Sequence, residues 1–438
     1  MQPMTQLETD TSPHLASAYA NDRAHVFHSW SAQGALSPTV IAGAKGSRMW
    51  DDKGNTWLDF SSQLVNVNIG HQHPKLVAAI QAQAARLCTI APFHANDMRS
   101  EAARLLAELA PGDLDMVFFT NGGTEAIENA VRLARGHTGR HKVLSAYRSY
   151  HGATGTSIML TGDPRRWGNE PGAAGAVKFW GPYLYRSAFH ATTPEEECER
   201  ALEHLANVLM VEGPHTVAAI VLETVVGTNG VLVPPDGYLA GVRALCNQHG
   251  IVMVCDEVMA GFGRCGEWFA VDRWKVTPDL IAFAKGSNSG YLPIGGVLIS
   301  KKIVETYRDR AYPGGLTYSG HPLACASVVA SIGIFKEEKF HIRHGEYWVK
   351  KLADDLATHD EAQTTFAKWY IRTMNIFGRP GSPKNAVYRR YRLKLRDNDE
   401  VRQAFATEVT GLCEKFGLQV PAWKPVWEQL PEEAQIPG

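Results

Sequence analysis

The chain has 438 residues, of which 45% are hydrophobic, and a formal net charge of −1 at pH 7. The length predicts two or three domains with a large core, and the balanced charge gives no reason to expect nucleic acid as a partner. No run of 18 apolar residues is present to cross a membrane, and the polar start MQPMTQLETDTSP is unlike a signal peptide.

The first 60 residues precede the main pattern of the chain. Residues 1–35 are polar and predict an arm or an N-terminal helix. The stretch SRMWDDKGNTWLDF, residues 47–60, predicts a hairpin in which two aromatic-containing strands flank a turn with the sequence Asp-Lys-Gly-Asn. We therefore expect residues 1–60 to form an N-terminal arm and a small-domain hairpin.

From about residue 75 to residue 330, helical patterns alternate with short apolar stretches. The stretches that predict strands are Met116–Phe119, Lys142–Ser145, Ala218–Leu222, Ile251–Cys255, Leu280–Ala284 and Gly296–Ile299. This alternation predicts an α/β fold with a mostly parallel, doubly wound sheet over residues 61–333. Ligands of such sheets bind beyond the carboxyl ends of the strands.

The stretch MVFFTNGGTEAIENAVRLAR (116–135) reads as a strand, a glycine turn and a helix that begins near Gly123 and Thr124. Backbone N–H groups at such a helix start bind an anion, helped by the helix dipole. The alternative is an ordinary glycine turn. In the next motif, YRSYHGATGTS (147–157), Tyr150 and His151 follow a strand, where an aromatic ring either stacks on a planar cofactor or packs in the core.

Asp256 and Lys285 each follow a buried strand. A carboxylate at the tip of GIVMVCD must meet a cation or several donors, and a pyridinium nitrogen would satisfy it. The GxGxxG at residues 261–266 is a weak dinucleotide fingerprint, because no helix clearly starts in it. Lys285, in LIAFAKGSNSGYLPIGG, either reaches out to water or is a desolvated amine that forms a Schiff base. Together the four motifs describe a site for pyridoxal 5′-phosphate.

At this point the sequence resembles the class III (omega-type) aminotransferases of pyridoxal enzyme fold type I, over about residues 20–330. The motifs that carry the resemblance are NIGHQHPKLVAAI, FFTNGGTEAIENAVRLAR, SYHGAT, VLETVVGTNGVLVPP, CDEVMAGFGRCG, AFAKGSNSGYLPIGG and LTYSGHPLACAS. The resemblance implies a ping-pong transfer of an amino group from an amine or ω-amino acid to pyruvate or another 2-oxo acid. It also covers His71 and His73, so we expect no metal at these histidines.

The resemblance also implies residue roles. Lys285 would form the Schiff base and move a proton, and Asp256 would pair with the pyridinium nitrogen. Tyr150, with His151 beside it, would cover the ring, and Glu223 would lie near the phenolic oxygen of the cofactor. Two further sets of residues would bind phosphate: Gly123 and Thr124 in the same subunit, and Thr317 from the other subunit. The last role implies a homodimer with its sites at the interface.

The final segment, residues 334–438, differs from the rest. Instead of the small α/β domain that the family normally has there, residues 335–425 resemble the carboxyl half of the di-iron catalytic subunit of phenylacetyl-CoA epoxidase. This segment predicts helices. Glu338 and His341 form one Glu-x-x-His pair, but a di-iron site needs two pairs and two further glutamates, so we expect no bound iron. Without the small domain, whose arginine binds the substrate carboxylate, we expect weak discrimination between carboxylated and uncarboxylated amines.

Two alternatives remain open from the sequence. One is a protein that binds the cofactor but turns over poorly, and the other is an iron oxygenase subunit. The sequence also leaves open whether the junction near residue 335 is a natural or an artificial fusion. Finally, the seven cysteines are scattered and form no CxxC pair, which predicts a reducing, cytoplasmic location.

Overall fold

The computed structural model describes residues 14–337, 359–376, 398–416 and 418–420. The chain divides into two compact units, Met1–Ile334 and Phe335–Gly438. Among the described residues, no helix is long and apolar enough to cross a bilayer.

The first unit begins with helix α1 (Ala18–His25) and a three-stranded antiparallel sheet. Its strands are β1 (Ile41–Lys45), β2 (Arg48–Asp51) and β3 (Thr56–Leu58). Strands β2 and β3 are the predicted hairpin, which is confirmed, and the carboxylate of Asp51 holds its turn by accepting the backbone N–H of Asn55 at 2.8 Å. Strand β1 was not predicted, because its glycine and alanines carry little strand signal.

The helices of this unit surround a central sheet. After α1 they are α2 (Ser62–Val65), α3 (Pro74–Arg86), α4 (Asp97–Leu109), α5 (Gly123–Thr138), α6 (Gly155–Leu160), α7 (Pro194–Glu212), α8 (Tyr238–His249), α9 (Lys301–Thr306) and α10 (residues 322–337).

The central sheet has seven strands in the order β4-β10-β9-β8-β7-β5-β6. They are β4 (Leu114–Thr120), β5 (Lys142–Ala146), β6 (Ala176–Phe179), β7 (Val217–Glu223), β8 (Val252–Asp256), β9 (Leu280–Phe283) and β10 (Gly295–Ser300). All six predicted strands are present, with ends that differ by no more than two residues, and the mostly parallel α/β fold is confirmed. Strand β6, at the edge of the sheet, was not predicted.

Strand β10 runs antiparallel to both of its neighbours, β4 and β9. A parallel neighbour of β9 would need a long crossover connection, commonly a helix. Residues 284–294, which join β9 to β10, contain no α-helix, so the chain turns back at the same edge of the sheet. The sheet is therefore parallel except for this one strand.

Both faces of the sheet are covered, which explains why its strands read as unbroken apolar runs. Side chains that alternate along a strand point to opposite faces. On one face Val221, Val254 and Ala282 pack with the apolar side of α5, and on the other face Ile220 and Met253 pack with residues of α7 and α8. These side chains are fully buried, and at about 25 cal/mol per Å² such burial is the main force that holds the sheet together.

The described part of the second unit is helical. It contains α11 (His359–Ile376) and α12 (Asn398–Phe416). Cys413 and Leu418 form a small core against Phe366, and Gln363 is hydrogen-bonded to the backbone of Gln419. Glu338 and His341 lie outside the described residues.

The fold predicts opposite effects for two glycine substitutions. A Cβ on Gly295 would lie 2.7 Å from the carbonyl oxygen of Phe283 and 2.9 Å from the backbone of Gly122, whereas no described residue lies within 4 Å of a Cβ on Gly333 in α10. Gly295→Ala should therefore lower the stability by about 1–3 kcal/mol. Gly333→Ala should raise it by roughly 0.5–1 kcal/mol. Thermal unfolding midpoints measure both, and an unchanged midpoint for Gly295→Ala would contradict the close approach.

Candidate active site

Three titratable side chains meet at the carboxyl ends of neighbouring parallel strands. Glu223 ends β7 and Asp256 ends β8, and the two residues are register partners. Lys285 follows β9, whose Ala282 pairs with Asp256. Glu223, Asp256 and Lys285 line a cleft of about 370 Å³, and Tyr150 and Thr124 line it too. The sheet register thus gathers residues that are far apart in sequence.

Asp256 is nearly buried, with 4% of its surface exposed. Its Oδ2 accepts a hydrogen bond from Nδ1 of His151 at 2.8 Å, and its Oδ1 accepts the backbone N–H of Val258 at 3.0 Å. His151 is buried too, and its Nε2 has no hydrogen-bond partner among the described residues. Two donors therefore hold a carboxylate that faces the cleft, where it can pair with a protonated ring nitrogen.

Glu223 joins two loops at the edge of the cleft. One carboxylate oxygen accepts the backbone N–H of Tyr150 and the other that of Gly227, both at 2.8 Å. Burial raises the pKa of Glu223 above its ordinary value; the charge of His151 opposes the rise and that of Asp256 adds to it. Glu223 therefore fixes the position of Tyr150 while it faces the cleft.

Lys285 has a strained backbone and a partly desolvated amine. Its φ of 37° is in the left-handed region that side-chain-bearing residues rarely adopt. Burial lowers the pKa of Lys285, whereas the charges of Asp256 and Glu223 act in the opposite direction. A lowered pKa increases the neutral, nucleophilic fraction of the amine, which is the property that a Schiff-base lysine needs.

The start of α5 forms a cradle at the other end of the cleft. Gly123 approaches Val258 so closely that a Cβ would lie 2.9 Å from both methyl groups of the valine. The hydroxyl of Thr124 is hydrogen-bonded to that of Ser157 at 2.8 Å and accepts the backbone N–H of Ala153 at 3.2 Å. Because the free N–H groups of a helix start attract anions, this cradle suits a phosphate group.

Tyr150 lies between the cleft and a larger cavity. The guanidinium of Arg165 lies 3.9 Å from the centre of its ring and is also paired with Asp163. The ring of Trp30 contacts the tyrosine edge-on, with 6.5 Å between centroids. Burial raises the pKa of Tyr150 above its ordinary value. One face of the tyrosine ring is therefore covered by the guanidinium group of Arg165.

The larger cavity has a volume of about 660 Å³ and shares Tyr150 and Lys285 with the cleft. Most of its lining is apolar, and its charged members besides Lys285 are Arg165, Arg264 and Arg273. No Asp or Glu is among the described residues that line it. The cavity therefore suits a molecule with an apolar body and an anionic group.

The sequence-predicted residues divide into two groups. The structure brings together in one cleft Gly123, Thr124, Tyr150, His151, Glu223, Asp256 and Lys285. Thr317 is exposed and lines neither this cleft nor the larger cavity of its own chain.

Sequence reasoning missed Arg165, Trp30 and Val258. Val258 had a usable signal, since it follows Asp256 in the same strand-end segment. The positions of Arg165 and Trp30 depend on how distant loops pack, and nothing in their local sequence indicates them.

The side chains of the cleft fit pyridoxal 5′-phosphate. A phosphate needs the cradle at α5, a pyridine nitrogen needs a buried acceptor such as Asp256, and an aldehyde needs an amine such as Lys285. Among the residues that the structure describes, no group of three or more His, Cys, Asp and Glu side chains is arranged to hold a metal ion.

Two family models match the chain. The aminotransferase class-III model matches residues 30–374, and the model of phenylacetic acid catabolic protein matches residues 325–432. The matches overlap over residues 325–374. Both resemblances seen in the sequence are thereby confirmed.

Individual relatives agree with the first match. Acetylornithine aminotransferase of Methanopyrus kandleri is 35% identical over 305 residues, which cover 69% of this chain and 71% of that protein. Taurine:2-oxoglutarate aminotransferase of Bifidobacterium kashiwanohense, solved with pyridoxal phosphate and glutamate, superposes with a TM-score of 0.71 and 40% identity over 82% of this chain and 78% of that chain. An (S)-enantioselective omega-transaminase of Thermomicrobium roseum gives a TM-score of 0.72 and 38% identity over 74% of this chain and 75% of that chain.

The chain therefore belongs to the class-III aminotransferases and is a transaminase that uses pyridoxal 5′-phosphate to move an amino group between a small-molecule donor and a keto acid acceptor.

Proposed function

We propose that the chain transfers an amino group from an amine or ω-amino acid to pyruvate or another 2-oxo acid by a ping-pong mechanism, with Lys285 as its central catalytic residue. The observation that carries the proposal is an amine of lowered pKa in the cleft that also holds a buried carboxylate and an anion cradle. Pyridoxal 5′-phosphate, when bound, supplies an electron-withdrawing ring that makes the Cα–H of the substrate acidic.

The residues of the cleft then have separate tasks. Lys285 Nζ would take the proton from the substrate carbon that bears the amino group and deliver it to the aldehyde-derived carbon of the cofactor, and the reverse transfer would serve the 2-oxo acid. Asp256, which His151 orients at 2.8 Å, keeps a proton on the ring nitrogen. The N–H groups at Gly123 and the hydroxyl of Thr124 bind the phosphate. These tasks follow from where each donor or acceptor faces the cleft.

The other two residues, Tyr150 and Glu223, orient and enclose the cofactor. The ring of Tyr150 covers the cofactor ring, supported from the side by Arg165 at 3.9 Å. Glu223 would lie near the phenolic oxygen of the cofactor, and burial raises the pKa of its carboxyl group above the ordinary value. Because its carboxylate also accepts the backbone N–H of Tyr150, Glu223 helps to position the tyrosine ring over the cofactor.

The larger cavity supports ω-amino acids as one group of donors. Arg264 and Arg273 offer cations to an anionic group at the far end of such a donor, while the apolar lining accommodates its carbon chain. Two of the relatives are named for amino donors that carry an anionic group, taurine and acetylornithine. Uncarboxylated amines would use the apolar lining alone.

We propose further that the enzyme is a cytoplasmic homodimer. Thr317 is exposed, and near it Arg99 donates hydrogen bonds to the carbonyl groups of Pro92 and His94 at 2.8 Å and of Gly320 at 3.0 Å. This bridge holds together the two segments that carry Phe93, 83% exposed, and Tyr318, 58% exposed. Such an apolar surface is expected to meet a second subunit. The free state of all seven cysteines agrees with a reducing compartment.

We assign three parts to the chain on this basis. Residues 1–60 are assigned to the arm and the hairpin, residues 61–333 to the cofactor-binding domain, and residues 334–438 to a C-terminal segment whose described part is helical and which the second family model covers up to residue 432. All of the proposed residues of the site lie before residue 334, which supports the assignment of catalysis to the first unit.

Chemical labelling tests which lysine carries the cofactor. Borohydride reduction of the purified enzyme followed by peptide mapping should find the cofactor on Lys285. Lys178 is the internal comparison, because burial lowers its pKa to about 7 although it lies outside the cleft and donates to Ser145 at 2.7 Å. Label on Lys178, or on no lysine, would refute the role of Lys285.

Asp256→Asn tests the ring-nitrogen contact. The amide cannot keep the nitrogen protonated, so turnover should fall on the order of 100-fold while the cofactor still binds. Steady-state kinetics at saturating cofactor measure this, with Asp115→Asn, an exchange at an exposed position, as the matched control. Similar turnover in both variants would count against the assignment.

Mixed dimers test whether Thr317 serves the other subunit. Thr317→Asp would repel the phosphate, and Lys285→Ala would remove the catalytic amine, so each variant alone should be inactive. Coexpressed, they should regain about one quarter of wild-type activity, since half of the dimers contain one intact site. Coexpression of Lys285→Ala with Asp256→Asn should regain nothing, because both residues line the same chain's cleft. No recovery in the first mixture, or a monomer in size-exclusion chromatography, would overturn the dimer proposal.

A further inference from the structure

We propose that Glu257 is a positioning residue for the amine donor, whose buried carboxylate fixes one wall of the larger cavity against the ends of β7 and β8. This wall, residues 269–274, is called the donor wall below. The inference rests on the proposed function, since it concerns how the donor is held beside Lys285.

Glu257 directly follows Asp256 and has no exposed surface. One carboxylate oxygen accepts the hydroxyl of Thr224 at 2.6 Å and the backbone N–H of Val271 at 3.0 Å. The other oxygen accepts the backbone N–H of Ala270 at 2.8 Å. One side chain thus connects the residue after β7, the end of β8 and the start of the donor wall.

The donor wall carries side chains that face the donor. Arg273 and Trp274 line the cavity of about 660 Å³ that contains Lys285. The same wall is packed from behind, because Ala270 forms a small core with Val225 and Ala260. A shift of the backbone at Ala270 would therefore be transmitted to Arg273 and Trp274, which belong to the same short 3₁₀-helix.

Only a carboxylate satisfies all three donors. A glutamine at residue 257 would keep one accepting oxygen, but its NH₂ group would face the N–H of Ala270 in one orientation and that of Val271 in the other. Either way, a buried backbone N–H loses its acceptor, which is costly. Burial raises the pKa of Glu257 to about 7, and the hydrogen bonds from Thr224, Ala270 and Val271 oppose this rise because they favour the carboxylate form.

A residue that served only overall stability would lower the fraction of active enzyme, and with it the apparent kcat, but would leave KM unchanged. A positioning residue of the donor wall should instead change KM for the amine donor more than kcat. In Glu257→Gln holoenzyme we expect KM for the donor to rise about tenfold, with kcat changed less than about threefold. The matched control is Glu267→Gln, an exposed exchange in the same loop, which should leave both constants unchanged.

Thr224 provides an independent test, should Glu257→Gln fold poorly. Thr224→Val keeps the shape but removes the hydroxyl donor, whereas Thr224→Ser keeps the hydroxyl. The valine variant should raise KM for the donor about threefold, and the serine variant should restore the wild-type value. Equal KM values for the two variants, or a loss in kcat as large as the change in KM, would overturn the inference.

Hydrogen exchange measured by mass spectrometry gives a readout without turnover. In Glu257→Gln the amides of the donor wall should exchange faster than in the wild type, and in Glu267→Gln they should not. Unchanged exchange in the first variant would contradict the role of Glu257. If the wild type itself transfers no amino group, the proposed function fails; if it is active and Glu257→Gln behaves like the wild type, only the present inference fails.

Discussion

The organising constraint of this protein is that charged groups stand at the end of a buried sheet. Glu223 and Asp256 end two adjacent parallel strands and Lys285 follows the next one, and the other residues of these strands are apolar and covered on both faces. Buried charges are unfavourable unless each has partners. The loops of the site therefore meet these needs: the imidazole of His151 partners Asp256, and backbone N–H groups partner Glu223. The requirement to partner these charges sets both the loop positions and the chemistry.

Much of this arrangement could be predicted from the sequence, because it depends on local order. A strand that ends in Asp256 and a later one followed by Lys285 must bring both to one edge if the strands are parallel. The rest depends on distant packing. Arg165 reaches Tyr150 only through a folded loop, and Glu257, beside the conspicuous Asp256, gains its role from amides at residues 270 and 271. The direction of β10 was missed because apolar runs do not encode direction.

The two resemblances of the chain correspond to different kinds of structure. The class-III match, residues 30–374, contains the central sheet, the cleft and the larger cavity. The second match, residues 325–432, begins within α10, at the end of the α/β pattern, and extends over residues whose described part is helical. The side chains that fit the cofactor all come from the first unit, so the amino-transfer chemistry is explained by that unit's own residues.

The reversed strand β10 has a mechanical consequence for the lysine. Because β10 turns back beside β9, the segment that carries Lys285 leaves the sheet and re-enters it at the same edge, with Ala284 and Pro293 both lining the cleft. Within the segment, the backbone carbonyl of Lys285 accepts the N–H of Gly290 at 3.1 Å, and the backbone of Lys285 is in the left-handed region, so the start of the lysine side chain is held in place. The amine can then travel only by rotation about its own side-chain bonds. The amine of Lys285 therefore samples few positions relative to the reacting carbon, and this lowers the conformational entropy lost at each proton transfer.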